Sequence, residues 1–170
     1  MFEKWGGYVH TDWSELGSCA HSKIGRHYFV PVDFSKEEQN ILDLEDELAI
    51  TFPSDFMGLY REIGFGFLCA GDRGKRGHYR VFSPGELLEL YFEPENECSE
   101  DLFATFRMSA WEKLEGSGLL ALCTFGDEDS LIYLGISDGA VYYLSSARRI
   151  ADSLWDFLTR LDEKADYFLK

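Results

Sequence analysis

The stretch Leu48-Ala-Ile-Thr-Phe-Pro-Ser-Asp-Phe-Met-Gly-Leu-Tyr-Arg-Glu-Ile-Gly-Phe-Gly-Phe-Leu-Cys-Ala-Gly71 decides the fold. It reads as the end of one helix, a second helix begun by a proline, a glycine stop and a short apolar strand. Pro53 suits a first helical turn, where its missing N–H would be unpaired anyway, and Phe56, Leu59, Tyr60 and Ile63 follow at i, i+3, i+4 and i+7. That spacing defines one buried face. Gly64 can take the left-handed conformation that ends many helices, and Gly66 permits the turn into Phe67-Leu-Cys-Ala70. Pro53, Gly64 and Gly66 are therefore expected to be structural residues, and nothing in the stretch is catalytic in type.

On its N-terminal side, Ser35-Lys-Glu-Glu38 has the capping-box pattern and predicts a helix to about Leu48, with Ile41, Leu44 and Leu48 as its apolar stripe and Leu42 at the margin. Between Asp33 and Glu47 stand seven acids against one lysine, dense enough to make this solvated face a candidate contact surface. Residues 1–32 read as an N-terminal arm packed on a domain spanning 33–170. Their aromatic residues show no clear period, and the histidines among them, His10, His21 and His27, are expected near the surface. Cys19-Ala-His21 could offer two metal ligands, but no further pair stands at a recognisable spacing, so no metal or other cofactor is expected.

On the C-terminal side, Gly71-Asp-Arg-Gly-Lys-Arg-Gly77 lacks the spacing of a phosphate-binding loop and reads as the link of a hairpin between 67–70 and 78–82. Ser83-Pro-Gly-Glu86 is a second capping box, opening a helix that ends by Phe92. From Glu86 to Asp101 there are seven acids and no lysine or arginine. A turn or two of helix is expected around 99–107, where Leu102, Phe103 and Phe106 share a face. Leu119–Phe125, Leu131–Ile136 and Ala140–Leu144 are apolar runs rich in β-branched and aromatic residues, separated by turn signals, and predict an antiparallel meander. A last helix from Ala151 or Ser153 carries Leu154, Phe157, Leu158 and Leu161 on one stripe. The expected fold is α+β, a single domain of mainly antiparallel sheet with helices packed on it, helices near its N-terminus and a closing C-terminal helix.

Composition narrows the function. With 31 acidic and 16 basic residues among 170, the net charge is −15, which repels phosphate backbones and anionic headgroups, so neither nucleic acid nor membrane is expected as a partner. An aromatic content of 16% requires a packed core rather than an acidic disordered tail. No run approaches ~18 apolar residues, and the start lacks the order of a secretory signal, so a soluble cytoplasmic protein is expected. Cys19, Cys69, Cys98 and Cys123 are far apart in sequence, as separate thiols in a reducing compartment would be.

The succession of acidic helix, Leu48-x-Ile50-x-Phe-Pro53-x-Asp-Phe56, a Gly64 turn, a late meander and the closing Ile150-Ala-Asp-Ser-Leu-Trp-Asp-Phe-Leu158 resembles the SUKH superfamily over roughly residues 35 to 162. It departs from that pattern at Gly64-Phe65-Gly66, where the family usually has an asparagine beside its glycine. The superfamily includes bacterial immunity proteins against polymorphic toxins and fungal cell-wall assembly regulators. The resemblance implies no catalysis and a protein partner, foremost a toxin domain encoded nearby, such as a nuclease. A nuclease must present cations to phosphates, so the partner-binding candidates are the acids Glu93, Glu95, Glu97, Glu100, Asp101, Asp127, Glu128 and Asp129. Two alternatives stand beside this reading: a regulatory interaction module of the fungal type, and a small hydrolase using Cys19 with His21 or Asp127 with Asp129.

Overall fold

A computed structural model describes residues 3–9, 27–68, 79–92, 102–125, 130–143 and 148–169; side chains are described from residue 5 and, in the helix that begins at 102, from 109. Among the described residues, seven strands form one sheet in sequence order: β1 (Tyr28–Val30), β2 (Phe65–Leu68), β3 (Tyr79–Val81), β4 (Leu119–Phe125), β5 (Ser130–Gly135), β6 (Val141–Tyr143) and β7 (Arg148–Ala151). Every neighbouring pair is antiparallel. Helices α1 (Phe34–Glu47) and α2 (Ser54–Glu62) fill the β1–β2 connection, α3 (Pro84–Phe92) and α4 (Leu102–Ser117) the β3–β4 connection, and α5 (Leu154–Glu163) closes the chain. The architecture is the α+β single domain expected of the sequence.

The opening stretch forms the expected elements with shifted bounds: α2 begins one residue after Pro53, and β2 begins at Phe65 rather than Phe67, so Gly66 stands inside the strand instead of in a turn ahead of it. Pro53 precedes α2 as its N-terminal cap instead of standing in the first turn. Its ψ of 137° is extended, and its carbonyl accepts from Phe56 N and Met57 N at 2.9 and 3.1 Å. After α2, the N–H groups of Ile63 and Gly64 both reach Leu59 O at 2.9 Å, and Gly64 sits at φ +108°. A Cβ on Gly64 would lie 1.9 Å from Val30 O, so the residue serves both the helix end and the close pass of β1. Gly66, at φ +146°, pairs with both Phe29 and Val81.

Three other expectations shift. The cap of α1 is Asp33, not Ser35: its carboxylate accepts from Ser35 N at 3.1 Å and also pairs with Lys36 at 2.9 Å, and this stronger acceptor starts the helix earlier. The helix expected around 99–107 runs on to Ser117, because Ala110 and Leu114 continue the buried stripe. The residues ahead of the closing helix form β7, and α5 starts at Leu154 with Ser153 Oγ accepting from Asp156 N at 3.1 Å. The second capping box holds in both directions: Ser83 Oγ accepts from Glu86 N, and the Glu86 carboxylate accepts from Ser83 N at 2.9 Å.

Within the N-terminal segment, a 3-10 turn (Glu3–Tyr8) and β1 are described. Trp5 is 1% exposed and Phe29 is fully buried. His27, expected near the surface, is also fully buried, its ring edge-on to those of Trp5 and Tyr8 and its Nε2 3.3 Å from Asp162 of α5. The core runs from these residues along the sheet under α2 and α5, whose stripe residues Leu154, Phe157, Leu158 and Leu161 are all 0% exposed. Each such burial is worth about 2 kcal/mol.

Candidate docking surface

The helices α1, α3 and α4 form a layer in which α1 packs on α3, α3 on α4, and α4 on β4. The α1–α3 contact is tied by charge. Glu37 of α1 accepts from Gly85 N at the start of α3 at 3.0 Å and from Asn40 Nδ2 at 2.8 Å, placing a carboxylate on a helix N-terminus. The α3–α4 contact is aromatic: the Trp111 ring stands edge-on to Tyr91 and Phe92 at 5.9 and 5.7 Å, and its Nε1 donates to Tyr91 O at 3.1 Å. Below them the Tyr91 hydroxyl accepts from Ala121 N at 3.1 Å, beside the register shift in β4. Burial holds that hydroxyl protonated well past the usual tyrosine range, and the Ala121 N–H pulls weakly the other way.

Where α1 ends, a turn creates the surface of interest. Ile50 N donates to Glu45 O at 3.0 Å and Ala49 N to Asp46 O at 3.2 Å, the paired bonds of a Schellman motif. Ala49 occupies its left-handed position at φ +51°, where glycine is usual. Glu45 braces the turn from the side, accepting from Phe52 N at 2.7 Å. Across from the turn, Ile136 N of the β5–β6 connection donates to Gly118 O at 2.9 Å. Between these walls lies an open groove of about 490 Å³ lined chiefly by Ala49, Ile50, Trp111, Leu114, Glu115 and Ile136. A second open depression of about 480 Å³ runs along α1 past Leu42 between Gln39, Asp43, Glu45 and Asp46. Leu42 and Trp111, at 52% and 38% exposure, are the most exposed large apolar side chains among the described residues.

Among the acids of α1 and α4, two kinds bear on these depressions. Glu37, Asp43 and Glu45 are engaged in hydrogen bonds to neighbouring groups. Asp46 and Glu47 of α1, with Glu112 and Glu115 of α4, are exposed and have no ion-pair partner among the described residues. The carboxyls of Asp33 and Asp138 are held below the usual carboxylate range because nearby donors favour their charged forms. Buried Tyr60 moves up, mainly through burial and secondarily through Glu37. Groups tuned in these directions stay in their ordinary charge states at neutral pH, as suits structural anchoring and binding.

All eight acids singled out as partner-binding, Glu93 to Asp101 and Asp127 to Asp129, lie outside the described residues, as do Cys19 and His21. Their flanks can be located. Phe92, which precedes the first cluster, touches Trp111, whereas β4 carries the chain ~20 Å from the groove side at Gly118 to Phe125, which precedes the second. Trp111, Ala49 and Ile136 were not singled out in the sequence. The signal for Trp111 was present in the i+4 spacing of Phe106, Ala110 and Leu114, which extends the helix past it. Among the described residues no helix is long and apolar enough to cross a membrane.

The structure is thus a single-domain α+β fold in which a helical layer, packed on an antiparallel meander sheet, carries an open apolar groove. The chain matches the SMI1/KNR4 family (SUKH-1) model over residues 37–160 and belongs to that family. It is also 24% identical over 145 residues to the Immunity protein YxxD of Bacillus subtilis (strain 168), an alignment covering 83% of this chain and 87% of that protein.

Proposed function

We propose that this chain is an immunity-type protein that neutralises a toxin domain by binding it directly, without catalysis, in the cytoplasm of the cell that makes both. The observation that carries this reading is the similarity to an immunity protein along most of both chains, within a family the chain shares. Physical chemistry supports a cationic toxin, a nuclease being the leading example: at a net charge of −15 the protein is attracted to surfaces built to hold phosphates. In this reading Glu93, Glu95, Glu97, Glu100, Asp101, Asp127, Glu128 and Asp129 steer the encounter, and a few apolar anchors supply much of the affinity.

The test is co-expression with the toxin domain encoded beside this gene. Rescue of growth together with a co-purifying complex is the expected result. Unrelieved toxicity, or rescue with no complex, would overturn the proposal.

A further inference from the structure

We infer that the groove between the Leu48–Ile50 turn, Trp111 and Ile136 is the docking face of this protein, and that it receives an apolar side chain presented by a cationic protein surface. The inference rests on the neutralisation reading above and adds to it the location and the chemistry of the contact. The groove is apolar on its walls, and Trp111 presents part of its ring there while its Nε1 is already bonded to Tyr91 O, so the exposed part of the ring is a hydrophobic face with a fixed orientation. Rigid aromatic groups of this kind are the usual anchors of protein interfaces.

The rim selects the occupant. From residue 37 to residue 50 there are six acids and no lysine or arginine; Glu115 lines the groove, and Asp46, Glu47 and Glu112 lie within two residues in sequence of its lining residues Leu48 and Trp111, all four exposed and without ion-pair partners among the described residues. Lys113 is the one cation in the adjoining part of α4. A second copy of this chain would set the same acids against each other, and an anionic lipid surface or a nucleic acid would be repelled. A small ligand would be poorly enclosed, since the groove is open and few polar groups converge on it. A lysine- or arginine-rich protein surface with one protruding aliphatic or aromatic side chain meets both the walls and the rim.

Two substitutions at exposed positions probe the groove without disturbing the core. Ser137→Trp fills it, and Glu115→Lys reverses its rim; Glu163→Lys makes the same change in net charge on α5, which lines neither depression. Binding of the toxin domain encoded beside the gene is measured by calorimetry, with circular dichroism verifying each fold. Weakening of about tenfold or more for the first two, with Glu163→Lys within about twofold of wild type, supports the inference. Wild-type affinity in both groove variants overturns it while leaving neutralisation intact. If the wild-type chain itself fails to bind, the functional reading falls, and a synthetic amphipathic peptide of lysine and leucine decides the groove alone. Movement of the Trp111 and Ile136 resonances, blocked in Ser137→Trp, supports the docking face; unmoved resonances overturn it.

Discussion

Ala49 holds a left-handed backbone that costs a residue with a Cβ roughly 1–2 kcal/mol, partly offset by the greater freedom glycine would have in the unfolded chain. Ala49→Gly should therefore raise stability by about 0.5–1 kcal/mol in denaturant unfolding while removing a methyl group from the groove wall. Gly64 is the opposite case. Its positive φ and the backbone of Val30 and Pro31 within 3 Å of any added Cβ leave no room, so Gly64→Ala should cost about 3 kcal/mol or more by the same measurement. Gly64 could be placed from sequence, and Pro53 to within one residue, because what they restrict is their own backbone. The burial of His27 was not legible, since it depends on Trp5 and on Asp162 far along the chain.

The helices announce themselves where caps and stripes agree. Ser83 and Glu86 were legible as a reciprocal cap, and Ser83→Ala should lower stability by about 1 kcal/mol, read from a urea midpoint shifted at constant slope. β7 was hidden because Arg148 and Arg149 are exposed on a short edge strand, where pairing with β6 decides the conformation and hydrophobic pattern does not. The β5–β6 turn carries a pH signature. Asp138 is held below the usual carboxylate range first by the Tyr142 hydroxyl, which donates at 2.7 Å, with the Ala140 N–H and Arg149 adding to it and slight burial opposing. A lowered folded value means the stabilisation is present above the unfolded carboxylate range, near pH 4, and is lost as pH falls through the folded value. Asp138→Asn should then be less stable than wild type at neutral pH by under about 1 kcal/mol, water screening the exposed pair, and the gap should close in acid. Thermal melts of both proteins between neutral and strongly acidic pH would measure it.

For the molecule as a whole, the helical layer lines up a run of acids along α1 and brings Glu115 of α4 to the edge of the groove. The candidate site was legible only in part. Acid density along α1 marked a contact surface, but the groove needs the α1–α2 turn, α4 and the β5–β6 turn brought together, and no local pattern carries that information. If the proposed toxin partner is cationic, steering by the acidic surface predicts an association rate that falls steeply from low to high salt while dissociation changes little, measurable by stopped flow. The central claim, neutralisation by occupancy, is tested most directly by titrating the toxin domain's activity with this protein. Activity should fall linearly to its floor at one equivalent, with the toxin recovered chemically unchanged. Complete loss at a small fraction of an equivalent, deepening with time, would reveal turnover and contradict the account.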